Sequence, residues 1–155
     1  MYVEAQVVGE HGTSQVFLWS SARVGGKRIA ELLDQSGQSL EVFRQSVEQD
    51  VRFANITIIE GTGASQLGIG MVTARIAEAI LRDEHAVIPI GSYNPKYGVT
   101  ISLPSVVGRQ GVSQIIEPDM SEEERQGFQR SADILRNVVV RITHSPGQRS
   151  ARQVG

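Results

Sequence analysis

The chain has 155 residues, 40% of them hydrophobic and 21% charged, the size and composition of one soluble globular domain with a core of its own. Its formal net charge of -2, with 15 lysines and arginines spread thinly, excludes nucleic acid and anionic membrane as partners of the molecule as a whole. Cysteine is absent, which excludes disulfides, thiolate metal ligands and cysteine nucleophiles together and fits a reducing compartment. The opening Met1-Tyr2-Val3-Glu4-Ala5 lacks the basic start and apolar run of a secretory signal, and no apolar stretch approaches a membrane span. A cytoplasmic location is the resulting expectation.

In chain order, residues 2–8 read as a strand, broken by Gly9-Glu10-His11-Gly12, where two glycines flanking a histidine predict a tight turn. Thr13 and Ser14 then suit the cap of a helix running through Phe17, Leu18 and Trp19 to Gly25-Gly26. A short helix is expected over residues 29–33 and a longer one over 40–53, followed by the apolar run Thr57-Ile58-Ile59. Beyond a glycine-rich stretch, Ile69, Val72, Ile76 and Ile80 recur at helical spacing, predicting a helix to about Arg82. Residues 86–90 and 99–107 read as strands separated by the turn-rich Ser92-Tyr93-Asn94-Pro95-Lys96-Tyr97-Gly98, with a further strand over 112–116. Ser121-Glu122-Glu123-Glu124 is a capping box that opens a last amphipathic helix through Phe128, Ile134, Leu135 and Val138. The polar tail 143–155 is expected to be disordered, leaving a domain over 1–142. No repeat is present, and the irregular order of helices and strands points to α+β rather than a doubly wound sheet.

Three histidines occur. His11, on the glycine-flanked turn, has a side chain suited to proton transfer near neutral pH, although spacing alone favours a turn histidine without chemistry. His85 is read as serving the dipole or packing of the helix end before it, and His144 falls in the tail. No two histidines share a helix face and no carboxylate–histidine cluster has ligand spacing, so no metal site is expected. A Gly-x-Ser-x-Gly nucleophile elbow is missing. The stretch from Gly61-Thr62-Gly63 begins like a dinucleotide fingerprint, but Gln66 occupies the third glycine position and no Gly-Lys-Ser/Thr follows. It reads instead as a flexible helix entry whose small residues allow close packing, with Ser65 either capping the helix or pointing its hydroxyl into a pocket.

Gly9-Glu10-His11-Gly12-Thr13-Ser14-Gln15-Val16, continuing to Trp19-Ser20, resembles the active-site segment of L-lactate dehydrogenases. Glu60-Gly61-Thr62-Gly63-Ala64-Ser65 through Gly68-Ile69-Gly70, then Ala74-Arg75-Ile76 and Ala79-Ile80-Leu81-Arg82-Asp83-Glu84, is similar to a second segment of the same family. Leu103-Pro104-Ser105-Val106-Val107-Gly108-Arg109-Gln110-Gly111 resembles a third, and the capped helix with Ser131-Ala132-Asp133 also suits it. The resemblance runs from Val3 to about Val140; Glu10 and Trp19-Ser20 favour the lactate over the malate branch.

This resemblance implies the C-terminal, substrate-side domain of the lactate/malate dehydrogenases, with mixed helices, largely antiparallel strands and no Rossmann domain. It implies NAD as cofactor of the complete enzyme, a small 2-hydroxy or 2-oxo acid as substrate, and homo-oligomeric assembly. His11 takes the role of proton shuttle, Ser65 stands where the family usually lines the substrate pocket with threonine, and Ile69 matches an apolar residue packed against the nicotinamide. The nucleotide-binding half is absent, and with it the histidine-orienting aspartate and the substrate-binding and carbonyl-polarising arginines, so the chain is expected to be inactive alone. Thr13 replaces the aspartate common two residues after the histidine. Glu4 stands where sugar-bisphosphate-activated members carry histidine, so no such activation is expected. Two rivals remain: a truncated subunit-interaction module, and an unrelated acid/base enzyme pairing His11 with Glu10.

Overall fold

The structure is a computed structural model that describes residues 2–144, apart from the side chains of Asn55 and Thr62. Three antiparallel sheets and four helices make up the described chain. β1 (Val3–Glu4), β4 (Arg23–Val24) and β5 (Lys27–Arg28) form one small sheet, and β2 (Val7–Val8) pairs with β3 (Val16–Phe17) in a hairpin. The main sheet has the order β6 (Ala86–Asn94), β7 (Val99–Gly108), β8 (Gly111–Ile115). The helices are α1 (Ile29–Gln35), α2 (Leu40–Thr62), α3 (Gln66–Leu81) and α4 (Glu122–His144). None of them is long and apolar enough to cross a membrane.

The α+β architecture with antiparallel pairing is the one expected, and the structure corrects several boundaries. The strand expected over 2–8 is divided, because Val3 and Glu4 pair with β4 whereas Val7 and Val8 pair with β3. The helix expected from Thr13 to Gly25 does not form. Val16 and Phe17 instead lie opposite Val8 and Val7, and Leu18 donates its N–H to the Gln6 carbonyl at 3.0 Å. Extended pairing buries Phe17 and Leu18 together with Val8, an outcome that local capping signals cannot outweigh. β6 runs on to Asn94, whose carbonyl and side chain receive the N–H groups of the turn from Lys96 to Gly98. α2 continues past Phe53 through the apolar run to a left-handed Gly63. α4 includes Thr143 and His144, so the first two residues of the expected tail are helical; the rest of it lies outside the described residues.

The core lies between β7 and α4. Val99, Ile101 and Leu103 alternate along one face of β7 and meet Phe128 and Ala132 of α4, with Val8 and Leu18 of the hairpin region completing the cluster. Tyr97 packs edge-on against Phe128 at 5.0 Å between ring centroids. Glu124, Phe128, Ser131 and Ala132 are the buried residues of α4, a spacing that places one stripe of the helix on the sheet. α3 is different: Ala79 is its one buried residue among those described, while Leu67, Met71, Val72 and Leu81 are exposed.

Candidate functional site

His11 stands on the loop of the β2–β3 hairpin, and the loop is held from three directions. From the main sheet, Ser102 of β7 exchanges both backbone hydrogen bonds with Gly9, at 3.0 and 3.2 Å. Gly9 has φ +96°, and a Cβ there would stand 2.7 Å from Ser131 Oγ, so both backbone and packing require glycine. From α4, the fully buried Ser131 accepts the Glu10 N–H at 2.8 Å and lies 3.2 Å from Ser14 Oγ. From α2, Arg52 donates to the carbonyls of Thr13 (2.8 Å) and Gln15 (3.4 Å) while its guanidinium covers the Phe17 ring at 5.1 Å.

Within this frame His11 is exposed, and no hydrogen bond or ion pair to its imidazole occurs among the described residues. The carboxylate of Glu10 is turned into its own loop, where it accepts from the Ser14 hydroxyl and, at 3.4 Å, from the Ser14 N–H. The pairing of His11 with Glu10, expected of an unrelated acid/base enzyme, is therefore not formed. Beside the loop lies a cleft of about 670 Å³, bordered by Thr13, Ser14 and Gln15, by Arg44 and Arg52 of α2, and by Arg130 of α4; His11 does not line it.

The other two residues expected at the site, Ser65 and Ile69, lie together at the start of α3. Ser65 is its N-cap but makes no side-chain capping bond, so of the two readings of that hydroxyl capping is not realised. Ile69, one turn on, is 63% exposed. The structure thus brings Ser65 and Ile69 onto one helix turn, with His11 on a separate hairpin loop. Gly61, Gly63, Gly68 and Gly70 have nothing within 4 Å of where a Cβ would stand, so among the described residues no close packing forms against these four glycines.

Next to the hairpin the capping box does double duty. Glu124 accepts from the N–H of Ser121 at 2.7 Å while its own N–H reaches Ser121 Oγ at 3.2 Å, and the same carboxylate accepts the Ser20 N–H at 2.8 Å. Burial raises the pKa of this carboxyl, but the hydrogen bonds from Ser20 and Ser121 outweigh it and hold the group below its ordinary range. At the far end of the sheet His85 has φ +52° beside Asp83 at +55°, and Asp83 accepts the Arg109 N–H at 2.7 Å, tying the α3–β6 turn to the β7–β8 turn. His144 ends α4, its Nδ1 2.9 Å from the Val140 carbonyl.

In the sequence Ser14 and Glu124 read only as helix caps and Ser131 only as part of a family segment, while Arg52 has no role at all. Ser131 and Glu124 left a trace, since both are polar residues on the apolar stripe of α4; Arg52 left none, because its partners are backbone carbonyls far along the chain.

Residues 1–145 match the lactate/malate dehydrogenase, alpha/beta C-terminal domain. The chain is 43% identical over 138 residues to the L-lactate dehydrogenase of Deinococcus radiodurans, covering 87% of this chain and 45% of that protein. It is 40% identical over 143 residues to that of Chloroherpeton thalassium, covering 92% and 47%. Among solved structures, a lactate dehydrogenase enzyme from a Medee basin deep-sea metagenome library superposes with a TM-score of 0.84 at 34% identity, covering 92% of this chain and 47% of that one. The minor L-lactate dehydrogenase of Enterococcus mundtii, in a ligands-bound form, gives the same values. The chain spans about half the length of the curated relatives it matches. With a glycine-seated histidine hairpin, an antiparallel sheet under a capped helix, and this extent of likeness in sequence and fold, the chain belongs to the lactate/malate dehydrogenase family, whose C-terminal domain it forms.

Proposed function

We infer that this chain is the C-terminal part of an NAD-dependent L-lactate dehydrogenase-type oxidoreductase acting on a small 2-hydroxy or 2-oxo acid, and that it is inactive without a nucleotide-binding half. The observation that carries this reading is the state of the His11 loop: its backbone is pinned by β7, α4 and α2 while the imidazole itself stays exposed and uncommitted. Such a group is free to meet a substrate hydroxyl. His11 takes the proton from that hydroxyl at its neutral nitrogen during oxidation and returns it to the oxo oxygen during reduction. Ser65, with a hydroxyl that caps nothing, is the substrate-binding residue on α3.

The residues fit a nicotinamide. Ile69 is an exposed apolar side chain one turn from Ser65, suited to the flat face of such a ring and to keeping water from it. NAD, when bound, supplies the hydride acceptor or donor. The phosphates need another holder, because the glycine stretch lacks the dinucleotide fingerprint.

The test is pyruvate reduction followed by NADH absorbance. The chain alone is expected to give no turnover, and appreciable turnover would overturn its incompleteness. Fused behind the nucleotide-binding half of a relative, it is expected to be active, with His11→Asn lowering kcat by at least about a hundredfold. A fall of less than about threefold would remove His11 from the chemistry.

A second reading, a subunit-interaction module without catalysis, is favoured by the exposed Phe53, Ile56, Leu67, Met71 and Leu81 on α2 and α3. Light scattering separates it: association of the isolated chain supports it, and a clean, inert monomer sinks it.

A further inference from the structure

We propose that Ser131, buried on α4 and 120 positions from His11 in the chain, is a positioning residue that closes a ring of hydrogen bonds around the histidine turn. The inference rests on the reading of His11 as the proton-transfer group. The direction of each bond follows from the donors available. The Glu10 N–H donates to Ser131 Oγ at 2.8 Å. A carboxylate only accepts, so the single proton of Ser14 Oγ goes to Glu10 Oε2. The 3.2 Å contact between the two serines is then made by the proton of Ser131, donated to Ser14 Oγ. The circuit runs from Glu10 N–H to Ser131, to Ser14, and back to the side chain of Glu10, with every hydroxyl proton committed.

His11 lies inside the span that this ring closes, and it is flanked by ring members rather than being one. Two consequences follow. Oε2 of the Glu10 carboxylate is taken by Ser14, and no bond from that carboxylate to the imidazole forms among the described residues, which leaves His11 free for an external partner. The turn is also locked to α4 through a side chain with no exposed surface, so the backbone carrying His11 cannot drift without breaking its hydrogen bond to a buried hydroxyl. Gly9 belongs to the same device, because any Cβ there would displace the Ser131 hydroxyl.

Amide hydrogen exchange at Glu10 and the imidazole NMR signals of the three histidines, measured on the full chain, test the proposal. Ser131→Ala is expected to speed Glu10 exchange about tenfold and to broaden or split the His11 ring signal, leaving those of His85 and His144 unchanged. Ser14→Ala, half-buried and less exposed to failure of folding, is expected to do the same by opening the ring elsewhere. Glu10→Gln, which keeps an accepting oxygen, should stay within about threefold of the parent. Phe128→Leu is the control, because it weakens the core from the same helix without touching the ring. Unchanged Glu10 exchange in both serine variants overturns the proposal, as does an equal effect at Glu10 and His11 from Phe128→Leu. If the ring behaves as expected while His11→Asn leaves turnover intact, the catalytic reading fails and the ring stands.

Discussion

Glu124 carries more of the hairpin's support than its place in a capping box suggests. Only 8% exposed, it accepts two backbone N–H groups from different parts of the chain, Ser121 at the helix start and Ser20 after the hairpin. Its pKa is held below the ordinary 4.5, so the folded state favours the ionised form. The resulting stabilisation is complete above 4.5 and is lost as pH falls from there through the lowered folded value. Glu124→Gln keeps an accepting oxygen but loses the charge, and is accordingly expected to cost about 1 kcal/mol at neutral pH, the difference between a charged and a neutral hydrogen-bond acceptor. In urea titrations that difference should shrink on acidification below the carboxylate range. A difference that grows on acidification would contradict the assignment.

At the scale of elements, α2 is joined to the hairpin by polar and aromatic contacts over its first half. Trp19 donates its indole N–H to Glu48 at 2.8 Å and meets Phe43 edge-on at 6.0 Å, while Arg52 one turn further on holds the loop carbonyls. Trp19 is the one tryptophan in the sequence, so its fluorescence reads the docking of this helix directly. Arg52→Met preserves apolar packing over Phe17 but removes the donors. It is expected to red-shift Trp19 emission and speed amide exchange in the loop 13–15, with little change in α4. An unaltered emission spectrum would mean that Glu48 and Phe43 suffice to seat α2.

For the molecule as a whole, apolar burial is uneven. Sheet β6–β8 and α4 enclose the buried cluster, whereas α3 is apolar on several sides and contributes one buried residue among those described. Arg75 and Glu78 mark a polar side, but the exposed Leu67, Met71, Val72 and Leu81 form apolar surface of the kind that a further body normally covers. Hydrogen exchange across the isolated chain is therefore expected to be slowest in β7 and α4 and fastest in α3 and the last turns of α2. Fusion to a nucleotide-binding half should raise protection in α3 selectively. Equal protection of α3 and α4 in the isolated chain would show that the helix needs no cover.

Much of this protein is decided by its sequence alone. The helical spacing of Ile69, Val72, Ile76 and Ile80, the capping box at Ser121, and the two strands on either side of the turn-rich 92–98 are local patterns, and local patterns survive folding wherever burial agrees with them. The three ordered motifs likewise carry the family without reference to shape. Only the tertiary structure decided residues 13–25, where pairing with Val7 and Val8 made a hairpin out of a segment with helix-start residues. It also decided what surrounds His11: Ser102, Ser131 and Arg52 are remote in sequence, and no periodicity reports a hydrogen bond between distant positions. The sequence names the histidine, and the fold supplies the hands that hold its turn, because periodicity is a property of neighbours and positioning is a property of contacts.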